Sequence, residues 1–178
     1  LSSICIDIID SSEQYKYIHR LNEILYEKVN DTRITSYDAM PYRYYSAYKA
    51  LMELKETTQL PHKVRMEITK MCITIVTALN NIAYKCSDFS GSNVVSVDHS
   101  GSMRNKLSAR SDVSYAEIGL LMGAMMCLSG HGDLWVFSEK AKRVEVLPSD
   151  SVIDLMERAK DSMDWGGTYI DSAINTII

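Results

Sequence analysis

A carboxylate and two hydroxyls stand at alternate positions in Val97-Asp98-His99-Ser100-Gly101-Ser102-Met103, at the end of the β-branched run Val94–Asp98. If that run is a buried strand, its carboxyl end is the edge where open α/β sheets bind ligands. A hard divalent cation takes oxygen donors in octahedral geometry and keeps some waters, so Asp98, Ser100 and Ser102 suit part of a Mg2+ shell. Hydroxyl donors are neutral. Such a site leaves positive charge on the metal and favours an acidic group supplied from outside. The plainer alternative is a strand-ending turn in which Asp98 bonds backbone N–H groups. A third hydroxyl follows in Gly166-Gly167-Thr168, 66 residues after Ser102, where a doubly wound sheet can return it to the same edge.

Other chemistries find less support. His19, His62 and His131 stand alone, with no Cys or Asp spaced for a zinc site or a triad. Ser100-Gly101-Ser102 lacks the flanking glycines of a nucleophile elbow. Phosphotransfer through Asp98 would want a second carboxylate two residues on as general acid, and Ser100 stands there. No enzyme activity is expected. His99 is expected to turn its ring outward, and Asp171 to favour a helix dipole from its first turn.

Holding these groups takes a sheet covered by helices. Residues 91–178 alternate in type: strand Val94–Asp98, a helix capped by Ser114 and Glu117, strand Leu134–Ser138, and a hairpin partner or edge at Arg143–Leu147. A helix over Ser151–Lys160, a loop at Gly166-Gly167 and a last helix from Ile170 complete an α/β pattern. In the capped helix, Ile118, Leu121, Met122, Met125 and Leu128 are expected inward.

Residues 1–90 read as helices instead. Ser11 with Gln14 fits a capping box, followed by Ile18, Leu21, Leu25 and Val29. Pro41 opens a second helix whose Tyr44, Ala47, Tyr48, Leu51 and Leu54 share a face, while Tyr42, Ser46, Lys49 and Glu53 share the exposed one. The third is the clearest, with Val64, Ile68, Met71, Ile75, Leu79, Ile82 and Cys86 in helical step. Leu1–Ile9 leans to the tail of another helix. The polar Gly/Ser cluster at residues 87–93 marks the boundary, giving two domains, 1–90 and 91–178.

The chain has 178 residues, 46% hydrophobic and 24% charged, with net charge −4, which excludes a disordered tail or linker. It holds no apolar run long enough to span a bilayer and no visible signal peptide. Cys5, Cys72, Cys86 and Cys127 form no CxxC pair and read as free thiols of a reducing compartment, the cytoplasm. An opening leucine and an end inside an apolar run read as a fragment of a longer protein.

D-x-S-G-S followed at this distance by G-G-T, with the capped helix and the L-W-V-F-S strand between, resembles the von Willebrand factor A domain and its metal-ion-dependent adhesion site. That resemblance implies Asp98, Ser100, Ser102 and Thr168 as ligands of Mg2+, with an acidic ligand from a later loop beyond Ile178. Met40-Pro41-Tyr42-Arg43-Tyr44-Tyr45-Ser46-Ala47-Tyr48-Lys49-Ala50-Leu51 is similar to the P-[FY]-R-[FY]-x-[ST]-A-Y-[KR]-A-L stretch of TROVE modules. In Ro-type RNA-binding proteins that module, a ring of HEAT-like helical repeats, joins directly to an A domain. The resemblance implies the C-terminal end of such a ring followed by a truncated, Rossmann-like A domain. It also implies a small ribonucleoprotein scaffold that binds Y RNA or misfolded noncoding RNA. Arg43 and Lys49 are the expected RNA contacts, although residues 14–70 carry only a modest basic surplus. At the metal site a protein or acidic ligand is expected, and no membrane. The competing reading is an A-domain protein-binding module whose helices contact only protein.

Overall fold

The computed structural model describes residues 11–30, 40–57, 59–85, 93–109 and 111–177. Within them lie six α-helices and one small mixed sheet. The helices α1 (Ser11–Asn30), α2 (Pro41–Thr57) and α3 (His62–Lys85) come first. Then follow β1 (Val94–Asp98), a 3-10 turn at Gly101–Arg104, α4 (Tyr115–Gly130), β2 (Asp133–Phe137), β3 (Ala141–Val144), α5 (Val152–Lys160) and α6 (Ile170–Ile177). The expectations for Leu1–Ile9, the Ser11 cap, Cys5, Cys86 and the segment 87–92 fall outside the described residues.

β1 pairs parallel to β2, with Val94 opposite Asp133 and Asp98 opposite Phe137. The α4 crossover makes that parallel pairing possible. β2 and β3 form an antiparallel hairpin, so the outer strand is Ala141–Val144 rather than Arg143–Leu147. Both ends of the crossover are fixed locally. Ser114 caps α4 in a full capping box with Glu117, and His131 ends it in the left-handed region at φ 50° with its N–H on Cys127 O. A second full box, Ser151 with Asp154, starts α5.

Helix α4 lies close on β1 because two glycines face the strand. A Cβ on Gly123 would come within 2.7 Å of Val97 Cγ2, and one on Gly119 within 3.1 Å of Val97 Cγ1. Around that contact Val97, Leu120, Leu121, Ala124, Leu134, Val136, Val152, Leu155 and Met156 are buried. Met122 departs from its expected place. It is 46% exposed, because glycine and alanine at 123 and 124 carry the sheet-facing stripe while Met122 points away from it.

The helical half and the α/β half share this core. Tyr45, Ile75, Leu79 and Ala83 belong to the same buried cluster as the sheet residues. A smaller cluster of Val64, Ile68 and Cys72 packs with Tyr15, Ile18 and Leu60 between α1 and α3. Helix α2 is pinned on two sides. Tyr48 and Leu51 bridge both clusters, while Tyr45, expected on no buried face, is 2% exposed and faces α4.

Between α1 and α3 one charge is buried. Glu67, 2% exposed, accepts hydrogen bonds from Lys70 Nζ at 2.6 Å and Asn22 Nδ2 at 2.9 Å and lies 3.2 Å from His19 Nδ1. The lysine bond first, then those from Asn22 and His19, hold the Glu67 carboxyl down at about 2 against the pull of burial.

Candidate metal centre

The carboxyl ends of β1 and β2 and the loop before α6 meet at one edge of the sheet. Asp98 closes β1, and its Oδ1 accepts from the Ser100 N–H at 2.7 Å. That bond belongs to the plain turn, yet it occupies one carboxylate oxygen and leaves the other without a hydrogen bond among the described residues. Ser100, 2% exposed, makes no capping bond to the 3-10 turn it precedes. Its Oγ lies 3.4 Å from Ser102 Oγ instead.

The donor chemistry fits a hard cation. Neighbouring ligands on an octahedral Mg2+ lie about 3 Å apart, so the two hydroxyls, 3.4 Å apart, need only a small side-chain rotation. Among the described residues there is no cluster of three or more His, Cys, Asp or Glu side chains for a metal. The loop is thus a hydroxyl-rich, charge-poor donor set: Asp98, Ser100 and Ser102 would hold such an ion.

Thr168 is carried to this edge by the backbone bonds of its neighbours. Gly101 N–H donates to Gly166 O at 2.9 Å, and Tyr169 N–H donates to Ser138 O at 2.9 Å. These two bonds hold the Gly-Gly-Thr loop against the Asp98–Ser102 loop and the end of β2. A Cβ at 166 would stand 2.8 Å from Glu139 Cγ, so a larger residue there would displace the Glu139 side chain from this loop. The Glu139 carboxylate also accepts from Gly167 N–H at 3.4 Å. Thr168 itself is exposed, and Asp171 lies in the first turn of α6 as expected.

His99 is the clear correction. Its ring is fully buried, not turned outward. Strand alternation explains this, since the inward face that holds Val97 continues to residue 99, and His99 N–H still donates to Phe137 O at 2.9 Å. Nδ1 accepts from Asp164 N–H at 3.3 Å, which puts the ring proton on Nε2. Nε2 has no partner among the described residues. Burial is the main cause holding the imidazole below its usual range, against the opposing Asp164 charge. Asp164 in turn accepts from the Ser138 hydroxyl. That bond first, with Gly166 N–H and the nearby imidazole, holds the Asp164 carboxyl below its ordinary range.

The burial of His99 and the parts played by Glu139 and Asp164 were not anticipated in the sequence. Strand parity was the signal for His99. Glu139 and Asp164 had none, because their roles depend on how two distant loops meet. A further pair lies beside the site: Arg104, at the end of the 3-10 turn, stacks its guanidinium 4.9 Å from the ring centroid of Trp165, which has φ 58°.

The two expected RNA contacts differ in setting. Arg43 is exposed, with Tyr42 beside its guanidinium. Lys49 Nζ is drawn into the contact between α2 and α4, donating to Glu117 Oε1 at 2.9 Å, to Oε2 at 3.0 Å and to the Asp112 carbonyl at 2.5 Å. Tyr45 OH donates to the same carboxylate at 2.9 Å, and Lys160 Nζ donates to Tyr45 OH at 3.2 Å. Burial pushes the Glu117 carboxyl up, but the bonds from Lys49, Ser114 N–H and Tyr45 outweigh it and leave it below its usual value. No model of a known protein family matches the chain, and no curated protein matches it.

Proposed function

We propose that the chain is part of a Ro-type RNA-binding protein of the cytoplasm. Its helical half is the end of a TROVE ring of HEAT-like repeats, and its second half an incomplete von Willebrand A domain. The observation that carries this reading is the tie between two motif loops far apart in sequence. The Gly101 N–H to Gly166 O bond holds the Gly-Gly-Thr segment against the Asp-x-Ser-Gly-Ser turn, as a shared ligand set requires. Asp98, Ser100, Ser102 and Thr168 hold Mg2+, and the bound ion supplies a positive centre for an acidic group of a partner. Asp98 contributes the one charge, while the serine and threonine hydroxyls orient without neutralising. The proposed role is binding.

On the helical half, Arg43 offers its exposed guanidinium to phosphate, in keeping with a small noncoding RNA as partner. One observation favours the second reading, a protein-binding A-domain module with no RNA role: the Lys49 amine is engaged by Glu117, which leaves less cationic surface on α2. Isothermal titration with Mg2+ tests the metal site. Wild type binds, Asp98→Ala loses binding, and His99→Ala is to be judged only where it remains folded. Equal affinity in wild type and Asp98→Ala would overturn the ligand set. Filter binding of a structured small RNA at two salt concentrations tests the other half. Arg43→Glu weakens retention most at low salt, because phosphate contacts act through counterion release. Retention unchanged by Arg43→Glu favours the protein-only module.

A further inference from the structure

Beside the candidate metal centre sits a cation that the ligand set does not use. Arg104 ends the 3-10 turn begun by Gly101, two residues beyond Ser102. Among the described residues no carboxylate lies within ion-pair distance of it; its guanidinium lies over the face of Trp165, 4.9 Å from the ring centroid. Trp165 is held for that contact. Its φ of 58° is a conformation that bulky residues adopt only when their surroundings impose it. Here Gly101 N–H on Gly166 O, and Asp164 fixed by Ser138 and His99, impose it from both sides. A guanidinium stacked on an indole uses its face and keeps its in-plane N–H fork free for a planar anion. Stacking also restrains the side chain before any ligand arrives, which lowers the ordering cost of binding.

We propose that Arg104, presented on Trp165, is a second anion-recognition point beside the metal, and that together they select a protein segment bearing two carboxylates. The proposal rests on the reading of Asp98, Ser100, Ser102 and Thr168 as a metal site. Carboxylate of a protein is favoured over nucleic-acid phosphate by what flanks the edge. Tyr169 and Ile170, directly after Thr168, are 59% and 58% exposed, giving apolar area next to the charges.

The test uses the whole chain and three small probes: acetate, glutarate and inorganic phosphate. Mg2+ affinity is first measured by calorimetry for wild type and Arg104→Gln, and the two are expected to agree. Probe binding is then followed through the indole N–H signal of Trp165 in nitrogen-15 NMR spectra, with and without Mg2+. With Mg2+, wild type is expected to bind glutarate about fivefold more tightly than acetate, the scale of one partly exposed charge-assisted contact. Arg104→Gln should erase that preference. A preference that persists in Arg104→Gln overturns the proposal, and so does an Arg104-dependent preference for phosphate over glutarate. If wild type fails to bind Mg2+, the metal reading falls on its own. The arginine is then judged without metal: glutarate must still shift the Trp165 signal in wild type and not in Arg104→Gln, or it falls too.

Discussion

Lys49 separates two uses of one charge, and a double-mutant cycle decides between them. The perturbations are Lys49→Met, which keeps most of the aliphatic stem, and Glu117→Gln, which keeps the side-chain shape. At 2.9 Å between Nζ and Oε1, two unit charges attract by roughly 6 kcal/mol at an effective dielectric of about 20. Most of that is offset by desolvating Glu117, whose side chain is only 14% exposed, and by ordering the lysine. Lys49 is 37% exposed, so solvent screens the pair further and leaves a coupling of about 1 kcal/mol. Glu117→Gln alone should cost about 2 kcal/mol, because the bonds to Ser114 and Tyr45 weaken along with the ion pair. Urea denaturation of wild type, both single variants and the double variant at pH 7 yields the coupling. A value within about 0.3 kcal/mol of zero would refute the clamp. Lys49 would then be a solvated amine, free for phosphate.

Two other outcomes follow from the geometry. The Glu67 carboxyl is held at about 2 in the folded chain against an ordinary 4.5, so its stabilisation is complete above about pH 4.5 and lost as pH falls towards 2. That contribution is about 3 kcal/mol, and urea titrations at several pH values should show Glu67→Gln lacking this part of the wild-type acid dependence; parallel curves would contradict it. Gly123→Ala should lower stability by about 1–2 kcal/mol despite alanine's better helix propensity, since Val97 Cγ2 stands 2.7 Å from the new methyl and a β-branched side chain cannot swing away. A more stable Gly123→Ala in thermal denaturation would show that α4 can lift from β1.

Much of the fold could be read from spacing because the relevant signals are local. The box Ser114–Glu117 and the stripe from Val64 to Leu79 are each settled within a few turns of chain. The misreadings on α2 have one cause: a helix can be covered on more than one side. Taken alone, α2 shows one apolar face that leaves out Tyr45, and Lys49 falls on the exposed one. In the folded chain α4 covers that second side, and Glu117, 68 residues beyond Lys49, supplies its counter-charge. The candidate ligands of the Asp98–Ser102 loop were legible because they lie together in sequence. Thr168 could be joined to them only through the expected sheet topology and the resemblance, and Glu139 and Asp164 not at all. Their parts depend on the tertiary approach of the loop before α6, which no local period encodes.

Among the described residues, the two edges of the sheet are built unlike each other. β3, on one side, is four residues long, with Lys142 and Arg143 exposed at its middle. Short strands with charged side chains are poor templates, because an incoming strand must bury or displace the cations. β1, on the other side, has five residues, Val94-Val95-Ser96-Val97-Asp98, with no positive charge. Its β-branched composition suits pairing, and Val94 is 49% exposed. Lateral growth of this sheet is therefore directional: self-association through strand pairing is discouraged at β3, and an added strand meets the lower barrier at β1. A chain whose β1 is left open during synthesis would carry its aggregation hazard on that side, next to the very turn that bears Asp98.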